Sequence, residues 1–180
     1  MDSQTLSRWR VRAGYAPALL YLVLAEPRPG SLLLGAAVAF SGLAIRAWAA
    51  GHLFKHQRLA TSGPYRHTQN PLYFGSALLV VGFLIAGRCW GRWSWLVSVL
   101  ALGYFAVFYF VVMRREAGEL RVLYGENYAA YAAAVPLFLP SPWPRAPASG
   151  RFLLAQYLNN REYQAAFGFA AALVFLLFRL

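Results

Sequence analysis

The sequence has few acidic side chains, little charge of either sign and a single cysteine. Its 180 residues include six Asp and Glu against 17 Lys and Arg, and charged residues make up 13% of the chain while hydrophobic residues make up 59%. Soluble domains are typically about a quarter charged, so this scarcity argues against a soluble globular domain. With Cys89 alone, a disulfide framework and a thiolate metal site are both excluded.

Two further features limit the possible ligands. No G-x-G-x-x-G turn occurs in the chain, which argues against a dinucleotide site of the soluble Rossmann type. His52 and His56 are four residues apart, but no cysteine or carboxylate lies near them in sequence, so we expect no metal site. The net charge of +11 would suggest nucleic acid in a soluble protein. In this chain the basic residues flank apolar stretches, so we expect no nucleic-acid partner.

Long apolar stretches occupy most of the chain. Their bounds are Ala13–Ala25, Ser31–Leu53, Pro71–Gly87, Trp95–Met113 and Tyr163–Phe178. A stretch of about 18 or more apolar residues is typical of a membrane-spanning helix, and the shorter stretches need flanking residues or a neighbour. The sequence therefore predicts an all-α integral membrane protein with about five transmembrane helices. A cleaved secretory signal is the alternative interpretation of the N-terminus.

The distribution of Lys and Arg predicts the orientation of these helices. In the five-helix topology most basic residues fall on one side, which the positive-inside rule makes cytoplasmic together with the N-terminus. The segment from Arg114 to Arg161 is then a cytoplasmic helical segment. We expect one helix to end near Gly125 and a second short helix to end before Pro136. The absence of a long polar domain or a retention signal favours a bacterial inner membrane.

The most polar stretch of the central region is SGPYRHTQNPLYFG, residues 62–75. Gly63-Pro64 and Asn70-Pro71 predict turns, and Pro71 suits the first turn of a helix. The positive amino end of that helix can hold a ligand carboxylate, or Asn70 can cap it. Tyr65 and Tyr73 fit either a ligand site or an interfacial aromatic belt.

Two charged residues near the membrane boundary are candidate functional groups. Glu116 follows the end of the Trp95–Met113 stretch by three residues, which places it at the mouth of the membrane. Arg46 lies within the Ser31–Leu53 stretch, where an arginine either has a function or extends to the interface. We favour function for both.

Two ordered sequence blocks resemble a known family. LATSGPYRHTQNPLYFG (59–75) is similar to L-x-T-x-G-x-Y followed by R-[HN]-P-x-Y-x-G, and EAGELRVLYGENYAAYAAAVPLFLP (116–140) is similar to E-E-x-x-L-x-x-x-[FY]-G-x-x-Y-x-x-Y-x-x-x-V-P. The chain thus resembles the isoprenylcysteine carboxyl methyltransferase and phospholipid methyltransferase group of integral membrane enzymes. We expect a single domain over residues 1–180, with a motif core at about 40–140 and an extra membrane helix at about 161–179.

This resemblance implies an S-adenosylmethionine cofactor at the cytoplasmic membrane face and a lipophilic or lipid-linked acceptor. By position, the residues implied to contact the cofactor are Gln57, Arg58, Leu59, Ala60, Tyr65, Asn70, Pro71, Leu72, Tyr73 and Glu116. Gln69 stands where the family has arginine, and Ala117 where it has a second glutamate. The candidate catalytic residues are therefore Gln69 and the two nearby cations, Arg46 and Arg66.

Three functions remain open at this point. The leading one is a methyltransferase that acts on a prenylcysteine-like carboxylate, a lipid amine or a thiol. The second is a nicotinamide-dependent reductase of the membrane sterol-reductase type, which resembles this group in its C-terminal helices. The third is a cofactor-binding membrane module without catalysis. Membrane lipids are expected contacts, and the sequence leaves the oligomeric state open.

Overall fold

A computed structural model describes residues 20–21, 23–55, 57–88, 94–147 and 150–180 of the chain. These ranges contain five α-helices and no strand, as the predicted all-α class requires. The helices are α1 (Pro29–His52), α2 (Pro71–Ala86), α3 (Ser94–Ala134), α4 (Leu154–Asn159) and α5 (Tyr163–Leu177), and a 3-10 turn spans Gly63–Arg66. Most of the first predicted span, Ala13–Ala25, lies outside the described residues.

Only two of the described helices, α1 and α3, are long and apolar enough to cross a membrane. The prediction of about five such helices is wrong by this measure. Helices α2 and α5 contain 16 and 15 residues, which at about 1.5 Å per residue fall short of a hydrocarbon core about 30 Å thick. Each helix ends one residue before the end of its predicted apolar stretch, and no flanking residues extend either of them to the length of a span. The two long helices indicate membrane association.

Helices α1 and α2 pack against each other through small residues. A Cβ atom added to Gly42 would lie 2.5 Å from the carbonyl oxygen of Gly75, and one added to Gly75 would lie 2.6 Å from the Cγ atom of Arg46. Backbones approach this closely only where glycine leaves room. The absence of a side chain at Gly75 therefore lets Arg46 of α1 cross the surface of α2.

Helix α3 has 41 residues and is broken at Gly125, whose φ is 53° and ψ is −126°. Glycine adopts this positive φ at little cost, and the second part of the helix ends at Ala134, before Pro136. The predicted break and the second short helix are thus both present. Because α3 is longer than a hydrocarbon core is thick, only part of it can lie within a membrane that it crosses.

The two motif blocks are joined by hydrogen bonds between residues 66–70 and residues 132–146. The backbone N–H of Gln69 donates to Pro136 O at 2.9 Å, and that of Ser141 donates to His67 O at 2.8 Å. The Thr68 hydroxyl donates to Phe138 O at 2.8 Å. These bonds fix the segment after α3, here called the proline-rich segment (residues 135–147), against the loop before α2.

The C-terminal segment returns to the same end of the helix bundle. The backbone N–H of Leu153 donates to Gly51 O at 3.0 Å, and the Asn160 amide donates to Ala50 O and Leu53 O, both at 3.0 Å. Carbonyl groups at the carboxyl end of α1, where intrahelical partners are few, thereby gain partners from the C-terminal segment. The carboxyl end of α1, the amino end of α2 and the α4–α5 junction therefore meet.

Candidate active site

A cavity of about 970 Å³ lies where these helix ends meet. Helices α1, α2 and α3, the loop between α1 and α2, and the α4–α5 junction all contribute to its wall. Its volume is at the upper end of the range for small-molecule sites, about 300 to 1,000 Å³. The cavity is therefore large enough for a cofactor together with part of a second ligand.

Most of the residues that the resemblance implied lie around this cavity. Of those implied to contact the cofactor, the ones that line it are Arg58, Leu59, Ala60, Tyr65, Asn70, Pro71, Leu72, Tyr73 and Glu116. Arg46 and Gln69 also line it. Gln57 is exposed and, like Arg66, is not part of the lining.

Arg66 bonds the proline-rich segment instead of facing the cavity. Its Nε donates to Ala146 O at 2.8 Å, and its carbonyl oxygen accepts from the Arg145 backbone N–H at 2.7 Å. The guanidinium is thus directed toward the segment that follows α3. Arg66 does not supply the cavity with a cation in place of the family's arginine.

The Gln69 side chain links the two motif blocks. Its Nε2 donates to Val135 O at 2.6 Å, and its Oε1 accepts from the Tyr128 hydroxyl at 2.8 Å. Both ends of the carboxamide therefore have partners within the protein. Glutamine suits this position because its carboxamide can donate to Val135 O and also accept from the Tyr128 hydroxyl.

Glu116 lies beside a group of aromatic rings. Its Oε1 accepts a hydrogen bond from the Tyr73 hydroxyl at 2.6 Å. The ring of Tyr73 packs edge-on against Tyr109 with centroids 5.0 Å apart, and Tyr109 stacks on Phe105 at 4.1 Å. A carboxylate next to aromatic faces attracts cationic ligand groups. This corner of the cavity suits a positively charged ligand atom.

Tyr65 occupies a buried position in the 3-10 turn. Burial, followed by the neighbouring Tyr131 and the carboxylate of Glu116, raises the pKa of its phenol well above the ordinary value. Tyr65 therefore keeps its proton at neutral pH. It can donate a hydrogen bond within the cavity.

Asn70 does not cap α2, which was one of the two predictions for this residue. It is the N-cap residue, but no side chain caps this helix, and its Nδ2 donates instead to Leu137 O at 2.9 Å. Asn70 thereby becomes another link between the motif blocks. The positive amino end of α2 lies in the cavity wall at Pro71 and Leu72.

Arg46 is bonded inside the protein and does not extend to the interface. Its Nε donates to Glu162 Oε1 at 2.5 Å, and its Nη1 donates to Leu72 O at 3.2 Å and to the Ser76 hydroxyl. The side chain is 21% exposed. Interfacial extension, the alternative for Arg46, is therefore excluded.

The sequence prediction missed the contribution of the C-terminal segment. Asn160, Arg161, Glu162 and Gln164 line the cavity, although they lie outside both motif blocks. One signal was available, because a charged residue within an apolar helix usually pairs with an opposite charge. Glu162 is the acidic residue directly before the last apolar stretch, and it provides that charge.

His52 contacts the residues at the start of the 3-10 turn. Its Nδ1 is hydrogen-bonded with the Ser62 hydroxyl at 2.9 Å, and its ring packs against Gly63, whose φ is 59°. The imidazole thus supports the 3-10 turn that carries Tyr65. His56 lies outside the described residues.

A family model for phospholipid methyltransferases matches residues 32–127, more than half of the chain. The match begins within α1, includes the whole first motif block and ends just after the break in α3, so Glu116 falls inside it and Glu162 outside. It confirms the resemblance noted in the sequence and favours a methyltransferase over a reductase. No curated protein and no solved structure matches the chain significantly.

Proposed function

Because the chain belongs to the phospholipid methyltransferase family, we propose that it transfers a methyl group from S-adenosylmethionine to a lipophilic acceptor. The observation that carries this proposal is that both motif blocks line one cavity, with Glu116 next to Tyr73. In the sequence these two residues are in different blocks. Their contact brings the blocks together around a space of ligand size.

The chemistry of the cavity wall fits this cofactor. S-adenosylmethionine carries a sulfonium, an ammonium, a carboxylate and a ribose diol. Glu116 is partly exposed and can accept hydrogen bonds from the ammonium or the diol, and the rings of Tyr73 and Tyr109 favour a nearby cation. The amino end of α2 suits the carboxylate. Each charged group of the cofactor thus has a complementary feature in the wall.

In this proposal the protein acts mainly by alignment. The bound cofactor supplies an electrophilic methyl group, and a nucleophile needs only to be held in line with it. The cavity residues exclude water and hold both partners in position. The buried phenol of Tyr65 remains a neutral donor at physiological pH, so it can orient a ligand without adding charge.

The acceptor is proposed to approach from the membrane. Tyr104 and Phe108, in the apolar part of α3, contribute to the cavity wall. An apolar acceptor tail lying along this part of α3 would place its head group beside the motif residues. We further propose that the site faces the cytoplasm, as the distribution of basic residues predicts, and that the membrane is a bacterial inner membrane.

Calorimetric titration with S-adenosylhomocysteine tests the cofactor proposal. We expect micromolar binding to the detergent-purified protein, loss of that binding in Glu116→Ala, and unchanged binding in Glu126→Ala. Glu126 is a suitable control because it is an exposed acidic residue of the same helix and does not line the cavity. Absence of binding to folded wild-type protein would refute the proposal.

A second experiment separates an enzyme from a binding module. Protein loaded with S-adenosylmethionine labelled in its methyl group is incubated with a total lipid extract, and the lipids are then separated and counted. Label in one lipid class, lost in Glu116→Ala, would establish transfer. Binding of the cofactor without label in any extract would favour the non-catalytic module.

A further inference from the structure

Glu162 is a buried cavity residue that neither motif block contains. Its side chain is 8% exposed, and it lies beyond the residues that the family model matches. One carboxylate oxygen, Oε1, accepts from Arg46 Nε. Within the described part of the chain Oε2 makes no hydrogen bond, and Glu162 lines the cavity. No buried polar side-chain atom of the described residues lacks a partner, so the unbonded Oε2 is accessible from the cavity, where a ligand or water can bond it.

From this geometry we propose that Glu162 is the specificity residue for the methyl acceptor, and that its Oε2 accepts a hydrogen bond from a donor-bearing head group. The inference rests on the proposed function, because it assigns the second ligand of the same cavity. The ligand class is a lipophilic molecule whose head group carries N–H, S–H or O–H. A carboxylate head group is disfavoured.

The position of Glu162 is fixed by the backbone on one side and by Arg46 on the other. Arg161 adopts a φ of 55°, its N–H donates to Leu158 O at 2.9 Å, and the Glu162 N–H donates to Tyr157 O at 3.3 Å. This pair of bonds is the Schellman arrangement, in which glycine is usual at the position of Arg161. A non-glycine residue in this conformation is typical of a site where geometry has been fixed at some cost.

The charges around Glu162 determine which head groups fit. Arg46 is paired with Glu162 through Oε1, and Gln69 is neutral with both ends of its amide bonded. The other cations of the cavity wall are Lys55, Arg58 and Arg161, so the preference proposed here concerns the head group that contacts Oε2 itself. At that contact an anionic head group would be repelled by the carboxylate, whereas a protonated or neutral donor would be attracted.

A different carboxylate serves the cofactor in our proposal. Glu116 extends from α3 and bonds Tyr73, whereas Glu162 precedes α5 and bonds Arg46. The two carboxylates also belong to different parts of the chain, since Glu116 lies inside the region matched by the family model and Glu162 lies outside it. Specificity for the acceptor would thus be set by a segment that is separate from the motif blocks.

The test uses two probes of equal chain length, dodecylamine and dodecanoate, titrated into wild-type protein saturated with S-adenosylhomocysteine. We expect the amine to bind at least about tenfold more tightly than the carboxylate, the size of one charge-assisted hydrogen bond. This comparison needs no variant. Tighter binding of dodecanoate, or binding of neither probe, would overturn the assignment of Glu162.

Glu162→Gln and Glu126→Gln form the matched pair of variants. Glutamine at position 162 retains an oxygen for Arg46 Nε but loses the charge, so we expect amine affinity to fall about tenfold with S-adenosylhomocysteine affinity unchanged. Glu126→Gln should change neither the amine affinity nor the S-adenosylhomocysteine affinity. A loss of S-adenosylhomocysteine binding in Glu162→Gln, or unchanged amine affinity, would refute the proposal. Failure of wild-type protein to bind S-adenosylhomocysteine would instead refute the proposed function.

Discussion

The hydroxyl group of Tyr128 donates a hydrogen bond to Oε1 of Gln69 at 2.8 Å, and this contact joins the two motif blocks. Tyr128 is 4% exposed and packs with Tyr131 and Val135. Gln69 completes the link through its bond to Val135 O. Gln69, one of the two residues that depart from the family pattern, is therefore a structural connection in this protein.

Replacing Gln69 with the arginine of the family pattern should lower the stability of the fold. An arginine has no acceptor atom, so Gln69→Arg leaves the Tyr128 hydroxyl without its partner and should lower the free energy of unfolding by about 1 to 3 kcal/mol. Thermal unfolding in detergent measures the change. A double-mutant cycle of Gln69→Ala and Tyr128→Phe should give a coupling energy of about 0.5 to 1.5 kcal/mol. Additive effects, or a more stable Gln69→Arg, would contradict the link.

Asn160 should stabilise the end of α1. Asn160→Ala removes the hydrogen bonds to Ala50 O and Leu53 O, and we expect a loss of about 1 to 3 kcal/mol at roughly 1 kcal/mol per bond. The neighbouring Asn159 is exposed, so Asn159→Ala is the control and should change stability little. Equal melting temperatures for the two variants would show that the C-terminal segment does not hold α1.

The close approach of α1 and α2 predicts a strong effect of one added methyl group. In Gly42→Ala the new Cβ would lie 2.5 Å from Gly75 O, so the helices must separate, at a cost of about 1 to 3 kcal/mol. Gly103 in α3 has no atom within 4 Å of an added Cβ. Gly103→Ala should therefore be neutral or stabilising by about 0.5 to 1 kcal/mol. Similar unfolding temperatures for the two alanine variants would argue against this helix contact.

The raised pKa of Tyr65 predicts a loss of stability at alkaline pH. Its pKa is raised above the ordinary value of 10.0 by burial, so above pH 10 the unfolded chain releases this proton while the folded protein keeps it. The contribution of Tyr65 to stability is complete below pH 10 and declines as the pH rises further. Unfolding of wild type and Tyr65→Phe is compared between pH 8 and about pH 11. The variant should lose less stability over this range, and parallel curves would contradict the shift.

Several features of the fold and of the site could be predicted from the sequence because they depend on local pattern. The long apolar stretches predict α1 and α3, and a glycine followed by a short helical segment before Pro136 predicts the break in α3. Glu116 was identified from its distance to the end of an apolar stretch. Composition and spacing contain this information because helix formation and membrane partition depend on neighbouring residues.

The number of membrane-spanning helices was predicted wrongly, although the helices themselves were located well. The bounds of α2 and α5 agree to within one residue with the apolar stretches Pro71–Gly87 and Tyr163–Phe178. Their 16 and 15 residues are fewer than a span needs, and hydropathy does not state whether flanking residues extend such a helix. At the end of α2 they do not, because the backbone turns there, with Arg88 N–H donating to Ile85 O and Glu26 N–H donating to Gly87 O.

Composition and motifs at fixed spacing were sufficient to predict the all-α class, the family and the two sequence blocks that contribute to the cavity wall. The roles of Gln69, Arg66 and Arg46 became apparent from their contacts in the folded protein. Each has several hydrogen-bonding atoms, and its partners are 26 to 116 residues away in the chain. The role of each side chain depends on which groups the fold brings within hydrogen-bonding distance, and the fold, not the sequence spacing, brings Glu162 to Arg46.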